Sequence, residues 1–305
     1  MTIEQIYKNL QVPSCGIDVV LDTDAYNEID DQFAISYLIS YKDRLNIKAI
    51  YAAPFHNSRS VSAKDGMEKS YVEIEKLLSL MGEKFDVFKG SVSFLADENT
   101  PVTSCAALDL VERARGYSPE RPLYVVAIGA ITNVASALIM APEIAENLVI
   151  VWLGGHAHHY CDTLEFNMRQ DVAAARVVMK SPCAFVQLPC MGVVSAFTLS
   201  KPELEFWLKG KNKLCDYLAD AVISEADGYA KGTPWTRVIW DVTAVAWLVN
   251  DDGRFLQSRI ITRPLPSYDN LYSFNNSGLP QVYVYNVARD ALMSDMLRRI
   301  TEKFN

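Results

Sequence analysis

The stretch that decides the fold is residues 19–35, VVLDTDAYNEIDDQFAI. An apolar run typical of a buried β-strand leads directly into a segment with the apolar spacing of a helix. Five acidic residues lie in or beside the connection between them: Asp22, Asp24, Glu28, Asp30 and Asp31. A helix N-terminus stabilises carboxylates in its first turn, which would account for Asp30 or Asp31 singly. It does not account for four aspartates that converge on one strand-to-helix connection.

The rest of the chain extends this alternation of strand and helix patterns. The predicted strands are 16–21, 47–53, 85–88, 123–128, 148–153, 184–188, 259–262 and 281–285. The predicted helices are 31–41, 67–81, 106–115, 133–140, 172–180, 201–209, 214–229, 241–249 and 289–304. Continuous apolar strands indicate burial on both faces, as in a parallel sheet covered by helices. We therefore expect one α/β domain over residues 1–305, with a mostly parallel central sheet and its site at the carboxyl ends of the strands.

Composition excludes several classes of protein. Half of the 305 residues are hydrophobic, which argues against intrinsic disorder. A net charge of −8 argues against electrostatic binding of nucleic acid or of an anionic membrane. The apolar runs are too short to span a bilayer, the N-terminus lacks the features of a signal peptide, and the six cysteines form no C-x-x-C pair. We expect a cytoplasmic globular protein with reduced thiols that binds neither nucleic acid nor membrane.

The acidic cluster predicts a site for a hard cation. Like charges held close together repel by several kcal/mol at intermediate dielectric, so a bound cation is the simplest compensation. An all-oxygen ligand set favours Ca²⁺ or Mg²⁺. Zinc bound by His156, His158 and His159 is a weaker alternative, because no further cysteine or histidine convincingly completes a tetrahedral site.

Four motifs in order resemble the inosine–uridine-preferring nucleoside hydrolases. The first is Asp-x-Asp at a strand end followed by Asp-Asp at a helix start. The others are VAIGAITN at 126–133, VWLGG at 151–155 with LEFN at 164–167 and the segment 171–175, and WDVTAVA at 240–246. The resemblance implies the Rossmann-like fold of that family, a nucleoside substrate, and assembly as a homodimer or homotetramer.

The resemblance also implies a role for each matching residue. A calcium ion would be bound by Asp24, Asp31, Asp241 and the backbone carbonyl of Ile128. Asp24 would in addition act as general base on a calcium-bound water. The ribose hydroxyls would be held by Asp30, Glu165, Asn167 and Asp241, while Asp22 would have a supporting role. Such carboxylates suit this chemistry, because cleavage of an N-ribosidic bond develops positive charge on the sugar ring.

The sequence departs from the family pattern at the pocket. The AYNEI connection after Asp24 is two residues longer than usual and lacks the usual Pro and Gly. His159 stands where an asparagine often contacts the primary hydroxyl of the sugar, and Asn57 matches a loop that contributes an asparagine. Trp240 replaces the histidine that protonates the departing base in many relatives, so it either stacks on the base or packs in the core. The acid for the leaving group stays open, and we expect His158 or His159 at the rim of the pocket.

The leading hypothesis is hydrolysis of the N-glycosidic bond of ribonucleosides to free base and ribose, by a calcium-bound water that Asp24 activates. One alternative is a hydrolase of another N-riboside, and a second is a non-catalytic, calcium-dependent protein that binds sugars or nucleosides. A third takes Asp22 and Asp24 as the nucleophile and acid of a haloacid-dehalogenase-like phosphatase. That pattern requires Thr or Val at the position of Tyr26.

Overall fold

The structure, a computed structural model, describes residues 1–14, 16–274 and 278–304. The strands are β1 Ile17–Thr23, β2 Leu45–Ala52, β3 Val87–Lys89, β4 Leu123–Ala127, β5 Leu148–Leu153, β6 Ala184–Leu188, β7 Thr198–Ser200, β8 Thr236–Val238, β9 Leu256–Thr262, β10 Leu265–Pro266, β11 Tyr272–Ser273 and β12 Pro280–Val287. The helices are α1 Ile3–Asn9, α2 Asp30–Ser40, α3 Ala63–Met81, α4 Cys105–Ala114, α5 Thr132–Met140, α6 Phe166–Gln170, α7 Val172–Lys180, α8 Lys201–Trp207, α9 Lys213–Ala230, α10 Val242–Leu248 and α11 Arg289–Lys303.

Eight of these strands form the central sheet, in the order β3-β2-β1-β4-β5-β6-β12-β9. Neighbouring strands run parallel except for β9, which pairs antiparallel with β12 at one edge. The predicted α/β fold with a mostly parallel sheet flanked by helices is confirmed. That residues 1–305 form a single domain stays a prediction.

The apolar core lies on both faces of the sheet. Val19 and Leu21 of β1 pack in one buried cluster with Phe33 of α2, whereas Val20 packs in the opposite cluster with Val134 of α5. Successive side chains of a strand point to opposite faces, so a strand covered on both faces is apolar at every position. This double burial explains the continuous hydrophobic runs in the sequence. None of the helices in the described part of the chain combines the length and the apolar character needed to cross a bilayer.

The differences from the predicted elements lie mainly in short or exposed segments. β9 is longer than predicted, because most of its side chains are exposed at the sheet edge and show no apolar pattern. β12 is also longer than predicted, because it continues past its buried run through the exposed Tyr285 and Asn286. The pairs β7–β8 and β10–β11 were not predicted, nor were the short helices α1 and α6. Strands of two or three residues contain too few positions to show a period.

The order of the strands reverses between β1 and β4, which leaves a crevice at their carboxyl ends. Chain connections from β1 lead outward to β2 and β3, and those from β4 lead the other way to β5 and β6. Ligands of open α/β sheets bind in such a crevice. β1 ends in the Asp22–Asp24 segment, whose backbone accepts a hydrogen bond from Ile128 N beyond the end of β4, so both segments meet there.

A buried arginine joins the end of β9 to the start of β12 and to the α7–β6 connection. Arg263 Nη1 donates to Ser181 O at 3.0 Å, and Nη2 donates to Cys183 O at 2.8 Å and to Pro280 O at 3.0 Å. Replacing Arg263 with Met removes these three hydrogen bonds, at about 1 kcal/mol for each. We expect urea unfolding to show a free energy of unfolding lower by about 3 kcal/mol. The exposed Arg298→Met control should change it by less than about 1 kcal/mol, and an equally small change in Arg263→Met would contradict the prediction.

Candidate active site

A cavity of about 300 Å³ opens at the carboxyl ends of β1, β4 and β5. Six acidic side chains line it: Asp24, Glu28, Asp30, Asp31, Glu165 and Asp241. The segment that decides the fold provides the first four, and the loop before α6 and the start of α10 provide the other two. The folded chain thus brings distant carboxylates into one pocket.

Three of these carboxylates form a compact buried group. Asp30, Asp31 and Asp241 each place a carboxylate oxygen within 4.8 Å of the others, and all three side chains are buried. Asp30 and Asp31 lie in the first turn of α2 and Asp241 at the N-terminus of α10, where helix dipoles favour negative charge. Burial, together with the neighbouring carboxylates, nevertheless raises the pKa of Asp30 and of Asp241 well above the usual range. Burial also raises the pKa of Asp31 to about 7, although Thr23 Oγ1 donates a hydrogen bond to this carboxylate.

Asp24 lies beside this group at the end of β1. Its Oδ2 is buried and has no hydrogen-bond partner among the described residues. Burial raises the pKa of Asp24 well above its usual range, and the charges of Asp31 and Asp30 add to the shift. A Cβ at Gly129 would lie 3.0 Å from Cγ of Asp24, so the absence of a side chain there lets the carboxylate approach the backbone after β4. Asp24 is therefore a confined carboxylate with an oxygen available to a ligand.

These residues fit a calcium ion. Of the four predicted ligands, the structure groups Asp31 and Asp241 with Asp30, which was predicted to hold ribose. Asp24 acts electrostatically on the same group, and Ile128 lines the same pocket. The available donors are all oxygen atoms, as calcium prefers, and the unpartnered oxygen of Asp24 needs a cation or a proton. Asp30 and Asp31 are consecutive in one helical turn, so only the family resemblance assigned Asp31 to the metal and Asp30 to the sugar, and this division stays a prediction.

Glu165 and Asn167 are held in place by the backbone of the neighbouring loops. Glu165 caps α6 and accepts hydrogen bonds from the amides of Gly155, Asn167 and Met168 at 2.8–2.9 Å. Asn167 Nδ2 donates to Ile128 O at 3.1 Å and to Leu153 O at 3.0 Å. Asn167 therefore ties the ends of β4 and β5 together, and its carboxamide oxygen remains for a ligand. Both residues line the pocket, where they were predicted.

Two predicted substrate contacts lie outside the pocket lining. Asn57 Nδ2 donates at 2.6 Å to Oδ1 of Asn27, and it is Asn27 that lines the pocket. His159 is exposed and contacts the ring of Tyr160, and His156 from the same loop reaches the pocket in its place. The left-handed Gly155, with φ of 78°, turns the chain just before His156, so the loop presents its first histidine to the pocket.

His158 also lies outside the pocket lining. His158 packs between the rings of Tyr272 and Tyr283, and its Nε2 lies 3.2 Å from Gln187 Oε1. Gln281 Nε2 also donates to this Gln187 oxygen, at 3.0 Å. His158 therefore belongs to a packed polar network rather than to the pocket rim. Burial lowers its pKa to about 4, which keeps it neutral.

The longer AYNEI connection contributes two residues to the pocket: Glu28, which the sequence placed in the acidic cluster without a role, and Asn27, which sequence reasoning missed. Asn27 and Glu28 both line the pocket, and Arg237 of β8 donates to Glu28 Oε2. The cation of Arg237 also lowers the pKa of Asp30, against the larger effect of burial. The connection is two residues longer than the usual turn of the family, and this extra length could have pointed to the segment as part of the pocket wall. Other lining residues, among them His156, Arg169, Cys190 and Met191, had no such signal.

Trp240 lines the pocket and packs against the core. It is half-buried, so packing in the core and stacking on a base are compatible roles for this side chain. Leu164, Phe166 and Met191 complete a less polar wall of the cavity.

Asp22 does not line the pocket and accepts a hydrogen bond from Asn133 Nδ2 at 2.7 Å. This enclosed position argues against Asp22 as a phosphatase nucleophile.

Comparisons with known proteins agree with this geometry. The model of the family described as inosine-uridine preferring nucleoside hydrolase matches residues 19–277. The non-specific ribonucleoside hydrolase RihC of Salmonella typhi is 33% identical over 145 residues, which cover 46% of this chain and 45% of that protein. The match therefore spans a little under half of the relative.

Solved structures resemble the whole fold. A plant nucleoside hydrolase superposes with a TM-score of 0.74 at 18% identity, over 95% of this chain and 100% of that one. A purine-preferring ribonucleoside hydrolase from Gardnerella vaginalis superposes with a TM-score of 0.73 at 18% identity, over 94% and 98%. At such low identity these similarities establish the fold.

Proposed function

Because this chain belongs to the inosine-uridine preferring nucleoside hydrolase family, we propose that it hydrolyses the N-glycosidic bond of ribonucleosides to free base and ribose. The observation that supports this most is the buried group of carboxylates at the strand-order reversal, with Asp24 beside it. Such a group suits a substrate whose sugar becomes positively charged as the bond breaks.

Several side chains of the pocket have distinct roles in this reaction. Asp24 accepts the proton of the attacking water, since it is a buried carboxylate whose Oδ2 has no other partner among the described residues. Asp30, Glu165, Asn167 and Asp241 face the sugar and hold its hydroxyls. Calcium bound by Asp24, Asp31, Asp241 and the carbonyl of Ile128 would lower the pKa of a water molecule and fix the ribose. Trp240 stacks on the base.

The direct test is release of reducing sugar from a panel of purine, pyrimidine and nicotinamide ribosides. Each riboside is incubated with calcium and, separately, with excess chelator. Release that requires calcium supports the hydrolase. Release only from nicotinamide riboside would favour a hydrolase of another N-riboside. Calcium-dependent riboside binding without release would favour a non-catalytic binding protein, and absence of both would contradict the proposed function.

Asn57 should affect the reaction through Asn27. The 2.6 Å hydrogen bond occupies Oδ1 of Asn27 and leaves its Nδ2 for the substrate. We expect Asn57→Ala and Asn27→Ala each to raise KM about fivefold, the value of one neutral hydrogen bond. The double variant should be no worse than Asn27→Ala, because the two residues act as a unit.

Steady-state kinetics on the best riboside of the panel measures this coupling. Asn46→Ala is the matched control, because Asn46 is exposed and donates to Asp18 at the opposite end of the strands. If the increases in KM of the two single variants multiply in the double variant, Asn57 acts independently of Asn27. Oligomeric assembly and a cytoplasmic location stay predictions from the sequence.

A further inference from the structure

His156 is the one histidine that lines the candidate pocket in the part of the chain the structure describes. It follows Gly155 directly after the end of β5, and its ring lies 5.4 Å from the ring of Tyr160. The side chain is half-buried, so one part of the imidazole is enclosed by protein and another part faces open space. None of the roles assigned above uses this residue.

The burial of one ring nitrogen indicates where the imidazole carries its proton. Nδ1 of His156 is buried and has no hydrogen-bond partner among the described residues. Burial also lowers the pKa of His156, against a smaller opposing effect of Asp162, so the ring is neutral at neutral pH. A proton on Nδ1 would leave a buried donor unsatisfied, which costs more than an unfilled acceptor. The proton therefore lies on Nε2, the polar atom that remains for a ligand.

His156 lies between the acidic group and the less polar wall of the cavity. Gly155, which precedes it, donates from its backbone N to Glu165 Oε2 at 2.8 Å, and Ala157, which follows it, donates from its backbone N to Met191 O at 2.9 Å. Glu165 is one of the carboxylates that would hold the sugar, and Met191 belongs to the less polar wall. With the ribose at the acidic end, a side chain between these two walls stands beside the bond from C1′ to the base.

We propose that His156 donates a hydrogen bond from Nε2 to the departing base, an inference that rests on the proposed hydrolase function. When the bond between C1′ and the base nitrogen breaks, its electron pair moves onto the base, and the hydrogen bond stabilises the negative charge that develops there. The water oxygen forms the new bond to C1′, and its proton goes to Asp24. The released base then takes a proton from solvent. His156 keeps its own proton throughout.

The test compares leaving groups that differ in their need for a donor. His156→Phe keeps an aromatic ring beside Tyr160 and removes the N–H. We expect its kcat/KM to fall about 10- to 100-fold on inosine or uridine, the value of a hydrogen bond to a charged group. On p-nitrophenyl β-D-riboside, whose leaving group is already a stable anion, the change should stay within about threefold. His156→Gln, which restores an N–H donor, should recover part of the loss.

Two further variants separate the possible outcomes. The exposed His56→Phe should behave as the unaltered protein on all three substrates. A loss selective for nucleosides in His159→Phe instead of His156→Phe would overturn the proposal. An equal loss on nucleosides and on the nitrophenyl riboside, or no loss, would overturn it as well. If the unaltered protein releases sugar from none of the three substrates, the proposed function itself fails, and the role of His156 with it.

Discussion

Asp24→Asn should abolish release of sugar while the protein stays folded. Loss of a general base costs about 10²- to 10⁴-fold in turnover, and Asp24 is the buried carboxylate with a free oxygen beside the acidic group. The variant should also be at least as stable as the unaltered protein in the presence of chelator. The reason is that burial and two neighbouring carboxylates disfavour the charge of Asp24, and a neutral carboxamide of the same shape removes this cost. Turnover is measured by reducing-sugar release and stability by urea unfolding.

Asp22→Asn is the matched control for this experiment. Asp22 lies two residues earlier on β1, is equally buried, and likewise has a carboxylate oxygen without a hydrogen-bond partner. Its other oxygen accepts from Asn133, which a carboxamide oxygen can also do. We expect turnover within about tenfold of normal. Near-normal turnover in Asp24→Asn would show that Asp24 takes no part in the reaction. Equal losses of turnover in Asp24→Asn and Asp22→Asn would point to a structural effect.

Calcium should stabilise the folded protein, independently of any activity. Asp30, Asp31 and Asp241 lie within 4.8 Å of one another only in the folded chain, so a cation that binds them binds the folded state. At a concentration of about 100 Kd this adds about 2.7 kcal/mol to the free energy of unfolding. For a chain of this size we expect a Tm higher by about 5 °C in calcium than in chelator. Differential scanning fluorimetry measures the shift.

One variant in the acidic group and one on the surface show where calcium binds to raise the Tm. Asp241→Asn should reduce the calcium shift, because it removes one of the three grouped carboxylates, and it should raise the Tm in chelator by relieving repulsion. The exposed Asp290→Asn should retain the full shift. The same Tm with calcium and with chelator in the unaltered protein would show that the acidic group binds no calcium under these conditions.

The sequence alone predicted the sheet and most of the acidic pocket. The central strands are buried on both faces, so each is a continuous apolar run that stands out without any alignment. The carboxylates from Asp22 to Asp31 lie next to such a run, and the position of a strand end determines which edge of the sheet they occupy. Glu165, Asn167 and Asp241 were implied only by the family resemblance; they lie at later strand ends and helix starts, and parallel strands bring those ends together.

The tertiary structure decided which loop side chains enter the pocket. The sequence pointed to Asn57 and His159, whereas the folded loops present Asn27 and His156 and use Asn57 to hold Asn27. A loop has no period, so a change of one or two residues in its length redirects every side chain that follows. The direction then depends on contacts between segments distant in sequence, such as the hydrogen bond from Asn57 to Asn27. Strand and helix positions follow from local patterns, but the composition of this pocket wall follows only from how the loops pack on one another.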